Sequence, residues 1–184
     1  MINNPLSLSF IFEGWEGYQT SIVHAVVPLA SSQLAWRPSP QLRSVGETAG
    51  HLALGRIGWF SRMNAPGSQE LLKRAEPLMA PGGNIDPSLA SDVNVLIAWL
   101  TDTWAMIATT LDQWELADLT KTYRHSYWGK VYSVSYQWTF WRILSHDIHH
   151  GGEIALMLGM QGIEVPELGD LGGHLTEPPL AGAN

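Results

Sequence analysis

The chain has no cysteine among its 184 residues. That excludes disulfides and thiolate metal ligands, so any bound metal must be held by histidine, carboxylate or water. It also fits a reducing compartment. Positive charge is scarce: ten Lys and Arg stand against seventeen Asp and Glu, for a formal charge of −7. The ten are scattered, whereas a nucleic-acid binder presents a clustered basic surface, so no nucleic-acid partner is expected. No uncharged apolar run reaches the ~18 residues of a membrane-spanning helix. The start, Met1-Ile2-Asn3-Asn4-Pro5, lacks the basic and apolar regions of a secretion signal, and the expectation is a cytoplasmic protein with no membrane partner. Serine nucleophile elbows, phosphate-binding glycine loops and dinucleotide fingerprints are missing too.

Apolar residues make up 45% of the chain and charged residues 15%, a balance that suits a folded domain with a full hydrophobic core. We read residues 1–184 as a single domain, with its core at about 8–160 and a Gly/Pro-rich tail at 161–184 on the surface or against a partner. Nine tryptophans suit core and interface packing.

Four segments carry helical periodicity between Pro/Gly breaks. The first runs from about Leu8 to Leu34, with Ile11, Trp15, Tyr18, Ile22 and Val26 as its apolar stripe and Pro28 as a kink or stop. After the rigid Trp36-Arg37-Pro38-Ser39-Pro40 connector, Ser44 with Glu47 forms a capping-box signature for a second helix reaching about Met63. Residues 64–87 are a long excursion with one short helix near Glu70 to Arg74. The third helix spans about Pro87 to Leu111, and the fourth about Val134 to Leu158, closed by Gly159. Residues 112–131 read as a loop; the competing reading pairs strands across 120–136, where Tyr123, Tyr127, Val131, Tyr132 and Val134 favour them. The fold class is all-α, a four-helix bundle, whose sites are built from inward side chains on facing helices.

His146 and His150 are the most informative residues. Four apart on a helix, they share a face and can turn toward one divalent ion. Glu153 falls on the same stripe, within about 60° of both. A third histidine, His51, lies on the second helix. Three imidazoles from two helices leave a coordination position open, as reactive metals require. The bland alternative is that these histidines are hydrogen-bonded core residues, since an HxxxH pair alone is a weak motif. The glutamate of the HExxH protease signature is absent.

Gly55 and Gly58 share the face of His51, which suggests either space for a ligand or close packing against a tryptophan. His149 sits at the margin of the stripe, and Asp147 points elsewhere on the helix. Arg142, one turn before His146, either steers an anionic substrate or pairs with a neighbouring carboxylate; we expect the pair. His24 is expected to be structural, and His125 and His174 to be loop residues, solvated or facing another subunit.

These residues resemble the DinB/YfiT-like superfamily of metal-binding four-helix proteins. Trp36-Arg37-Pro38 with Ser44 to His51 looks like its connector and helix start, and Trp138 to His150 like its last-helix motif. Gly151-Gly152-Glu153 matches the usual continuation, except that Gly151 stands where an arginine is common. The resemblance covers roughly residues 8–160. It implies that His51, His146 and His150 are the ligands and His149 is not, that the metal is a divalent zinc, nickel or iron ion, and that the topology has one long crossover. It also implies frequent homodimers, and its members include thiol S-transferases and mycothiol-dependent isomerases.

Two functions follow as expectations. The first is a metal-dependent enzyme that activates water or a low-molecular-weight thiol, of hydrolase or thiol S-transferase type, with Glu153 behind the ligands and a small-molecule substrate. The second is a non-catalytic metal- or ligand-binding bundle that responds to stress through a protein partner. Either way, metal affinity should fall below about pH 6, where free imidazole protonates.

Overall fold

A computed structural model describes residues 7–78 and 86–173. The described residues are mostly helical, with one small sheet among them. Its helices are α1 (Leu8–Ile11), α2 (Gly14–Val26), α3 (Ser31–Ala35), α4 (Val45–Phe60), α5 (Ser68–Ala75), α6 (Pro87–Ser91), α7 (Val93–Gln113), α8 (Tyr136–Met160) and α9 (Pro166–Gly169). Between α7 and α8 lie strands β1 (Thr122–Tyr127) and β2 (Lys130–Ser135).

The long first segment is broken in two places. Ser7 caps α1, and α2 starts afresh at Gly14 and ends at Val26, just before Pro28 removes a backbone donor. Trp15, Tyr18, Ile22 and Val26 of the expected stripe are buried, whereas Ile11 is exposed. The third segment also divides. Asp92 accepts from the amides of Asn94 and Val95, and so starts α7 as a helix separate from α6. The expected short helix is α5.

The capping box at α4 forms as read. Glu47 N–H donates to Ser44 Oγ at 3.2 Å, and Ser44 N–H donates to Glu47 Oε2 at 2.7 Å. Arg37 adds a 2.8 Å ion pair to Glu47, tying the connector to the helix start.

The loop reading of 112–131 is overturned. β1 and β2 pair antiparallel, with Tyr127 opposite Lys130. Trp128 and Gly129 form the two-residue turn with φ of 47° and 71°, the left-handed geometry that primed hairpin turns require. Tyr123 meets Thr139 Oγ1 at 2.8 Å, and this holds the hairpin against α8. Gly159 does not close α8 either. The helix runs to Met160, and Gly162 with φ 73° carries the chain away.

α4 is the central element and packs against α6, α7 and α8; α2 packs against α7, α8 and α9. Gly46 permits the close approach of α6, because a Cβ there would collide with the Ala90 carbonyl. The core joins Ile22, Leu52, Ile57, Phe60, Leu100, Ile107, Phe140, Ile143 and Ile154. Six of the tryptophans (Trp15, Trp36, Trp59, Trp99, Trp104 and Trp114) lie in it or against it. Of the Gly/Pro-rich tail, α9 folds back and buries Leu168; residues 174–184, with His174, lie outside the described residues. No described helix is long and apolar enough to cross a membrane.

Candidate metal centre

The structure brings His51 of α4 together with His146 and His150 of α8. One ring nitrogen from each lies within 4.8 Å of the others. His51 Nε2 and His146 Nε2 are 3.2 Å apart. Two nitrogens each about 2.0–2.1 Å from one tetrahedral ion are separated by roughly 3.3 Å, so this donor set fits a single small divalent cation. His146 and His150 are buried, at 8% and 6% exposure, and His51 is half-buried.

Burial and the neighbouring histidines push the His146 pKa down to about 3; Arg142 and Arg56 add to the effect. Burial also lowers His150, although Glu153 beside it opposes the shift. Both rings are therefore neutral at neutral pH, the form that coordinates.

Glu153 Oε2 lies 2.7 Å from His150 Nδ1, and Oε1 lies 3.2 Å from His149 Nε2. A carboxylate on Nδ1 fixes the proton there and leaves Nε2 with its lone pair free. His149, largely exposed, turns outward to this carboxylate. His149, His150 and Glu153 thus make a second, shallower donor group that shares His150 with the first. His146 departs from this pattern: its Nδ1 is buried without a hydrogen-bond partner. Gly55 explains how the ring is seated, since a Cβ there would lie 2.9 Å from His146 Cε1. Gly55 therefore packs against a histidine, and Gly58 faces the Arg62 side chain.

Sequence reasoning missed the support behind the site. Asp147 does point away from the histidines, but into the core, where it and Arg56 are wholly buried as an ion pair. Arg56 Nη2 and Nε donate to Asp147 at 2.8–3.2 Å, and Trp15 Nε1 donates at 2.8 Å. Arg56 Nη1 reaches Gln19 Oε1 at 2.7 Å and Thr103 Oγ1 at 3.4 Å. Burial pushes the Asp147 carboxyl up, and the guanidinium and indole N–H oppose it. Arg56 lies beside Gly55, and Asp147 beside His146, so the pair sets α4 against α8 next to the cluster. A signal existed: an arginine between Leu54 and Ile57 on an apolar helix needs a buried partner.

Two other expectations are corrected. Among the described residues no carboxylate pairs with Arg142; the side chain is exposed and lines a cavity with Trp59 and Trp138. His24, expected to be structural, is exposed and pairs with Glu167 of α9 at 2.7 Å. His125 is a strand residue packed on Trp59, with ring centroids 5.1 Å apart. The Gly151 departure has a local cause. Tyr18, which donates to the Ile148 carbonyl at 2.9 Å, fills the place where a Cβ would stand.

The architecture and the cluster define a helical protein with three imidazoles converging from two helices. Over residues 16–154, which include both histidine-bearing regions, the sequence matches the family model of the DinB superfamily, and the chain belongs to that superfamily. A crystal structure of a DinB-like protein from Bacillus cereus ATCC 10987 superposes with a TM-score of 0.65 at 13% identity, covering 88% of this chain and 97% of that one. At that identity the likeness concerns the fold. No curated protein matches the sequence.

Proposed function

We propose that the protein is a metal-dependent enzyme in which His51, His146 and His150 hold one divalent zinc, nickel or iron ion. The substrate side of the reaction is water or a low-molecular-weight thiol acting on a small electrophile, as a hydrolase or a thiol S-transferase. The observation that carries this is the 3.2 Å approach of two Nε2 atoms from different helices, with the third imidazole beside them. We take α2, α4, α7 and α8 as the four helices of a DinB-type bundle, with the stretch from α4 through α5 and α6 to α7 as its long crossover. The whole chain is one domain, and a homodimer in the cytoplasm is its working state.

Three nitrogen donors leave room for an exogenous ligand. When bound, such an ion would lower the pKa of coordinated water to about 7 or hold a thiol as its thiolate, and so would supply a nucleophile at neutral pH. Glu153 orients His150 through Nδ1 and, being half-exposed, is placed to accept a proton from the entering nucleophile. His146 and His150 stay neutral and offer lone pairs. The apolar shell around them, with Ile143, Ile154 and Met157 buried on the same helix, limits water.

Metal analysis of untagged protein tests this reading. The wild type should carry one ion per chain, and His146→Ala none, with helical circular dichroism retained. Glu153→Gln should bind metal about 10–100-fold more weakly. Loaded protein should then turn over either a thiol with an electrophile or an ester or amide. Stoichiometric metal in His146→Ala overturns the ligand assignment, and inactivity on every substrate overturns the enzyme.

A further inference from the structure

A cavity of about 610 Å³ lies beside the histidine cluster, roofed by the β1–β2 hairpin and floored by α4 and α8. Its volume falls in the range of pockets that hold small organic ligands, about 300–1,000 Å³. Its walls are aromatic: Trp59, Trp138, Tyr127 and Tyr132, with His125 among them. Trp59 and Trp138 meet at 5.5 Å between centroids and 55° between planes, so they form a continuous bent surface. One lining residue carries a fixed charge, Arg142, and no lining residue is acidic. In a chain where carboxylates outnumber basic side chains, none of the described ones pairs with that guanidinium.

The position relates the cavity to the cluster. On α8, Trp138, Arg142, His146 and His150 recur every four residues along one stripe, and on α4 His51, Gly55 and Trp59 do the same. The cavity is thus the continuation of the histidine face by about one helical turn. Arg142 is close enough to lower the His146 pKa. His125 is also lowered, by burial and then by Arg62, and presents a neutral ring to the space.

We propose that this cavity binds a small planar aromatic carboxylate, its ring against the Trp59 and Trp138 indoles and its anionic group on Arg142. Flat π surfaces recognise flat rings through offset and edge contacts. Guanidinium recognises carboxylate through paired N–H donors, and does so most strongly where no protein carboxylate competes. Binding of this ligand does not rest on the enzyme reading above, because no cavity residue belongs to the metal set. Arg142 is a specificity-determining residue in this arrangement.

The test titrates metal-free full-length protein with naphthoate, with the neutral naphthamide and with cyclohexanecarboxylate, read by calorimetry and by tryptophan fluorescence. Naphthoate should saturate at one molecule per chain, and each analogue should bind about tenfold more weakly. Arg142→Gln should abolish the preference for naphthoate over naphthamide, and Trp138→Ala the preference for the flat ring. Trp141→Phe, at an exposed position outside the cavity, should change neither. Absence of saturable naphthoate binding up to millimolar concentration overturns the proposal, as does an undiminished carboxylate preference in Arg142→Gln. A wild type that binds no metal yet still binds naphthoate would remove the enzyme reading and leave this site standing.

Discussion

His146 shows what burial does to one imidazole. In the folded chain its pKa is near 3, and in the unfolded chain it is near the ordinary 6.5. The unfolded state therefore takes up the extra proton first as acid is added. Stability contributed by the neutral ring is complete above about pH 6.5 and is lost progressively as pH falls toward 3. His150, also lowered, works in the same direction. Urea unfolding of metal-free protein at several pH values in that window should show a falling midpoint, and His146→Phe should flatten the dependence. An unchanged slope in that variant would mean that other groups cause it. The structure thus moves the sequence-based expectation for metal binding. Held neutral by burial, His146 should resist protonation well below pH 6, and His150 is shifted in the same direction. Burial is a tertiary property, and no spacing along the chain could supply its magnitude. Residue identity and helical period were enough to place His146, His150 and Glu153 on one face, because a shared helix face is a local property, whereas the choice of His51 as their partner came from the family resemblance.

Among elements, the relation of α4 to α8 matters most, since the cluster exists only if their faces meet. The Arg56–Asp147 pair makes that registry costly to change. Trp15 and Gln19 of α2, Arg56 of α4, Thr103 of α7 and Asp147 of α8 form one buried network, so all four long helices are joined in it. Arg56→Met should destabilise the fold by about 3–5 kcal/mol, because it leaves a buried carboxylate unpaired. The double variant Arg56→Met with Asp147→Leu should recover much of that loss. Chemical denaturation of the single and double variants measures both. A single variant within about 1 kcal/mol of wild type would show that the pair does not hold the helices.

Helix starts were legible because capping chemistry is local: Ser44 with Glu47 marked α4 to the residue. The hairpin was legible only as the competing reading across 120–136. Trp128-Gly129 adopts a primed turn, but β1 alternates weakly, with most of its residues exposed, and its pairing with β2 is fixed by docking on α8. Breaks inside the first and third segments escaped for a related reason. Apolar periodicity continues across Phe12–Glu13, where no side chain caps the restart, and across Asp92, whose side-chain cap is a local signal that the period masked.

For the whole molecule, the candidate centre would act as a cross-link. His51 and His146 are 95 positions apart in sequence, so an ion held by both closes the intervening chain into a loop. A ligand that binds only the folded state stabilises it by mass action, by about 2.7 kcal/mol at a hundredfold excess over its dissociation constant. Zinc should therefore raise the thermal midpoint of the wild type, and a chelator should return it without loss of helix. His51→Ala separates two ways of holding the ion. That variant keeps His146 and His150 at helical spacing, a pair that can bind weakly within α8 alone and gives no reason for α4 to stay docked. If the three imidazoles act together, most of the zinc-induced rise disappears in His51→Ala. If the rise survives intact, the ion sits on α8, with His149, His150 and Glu153 as the alternative donors, and the approach of α4 serves packing instead.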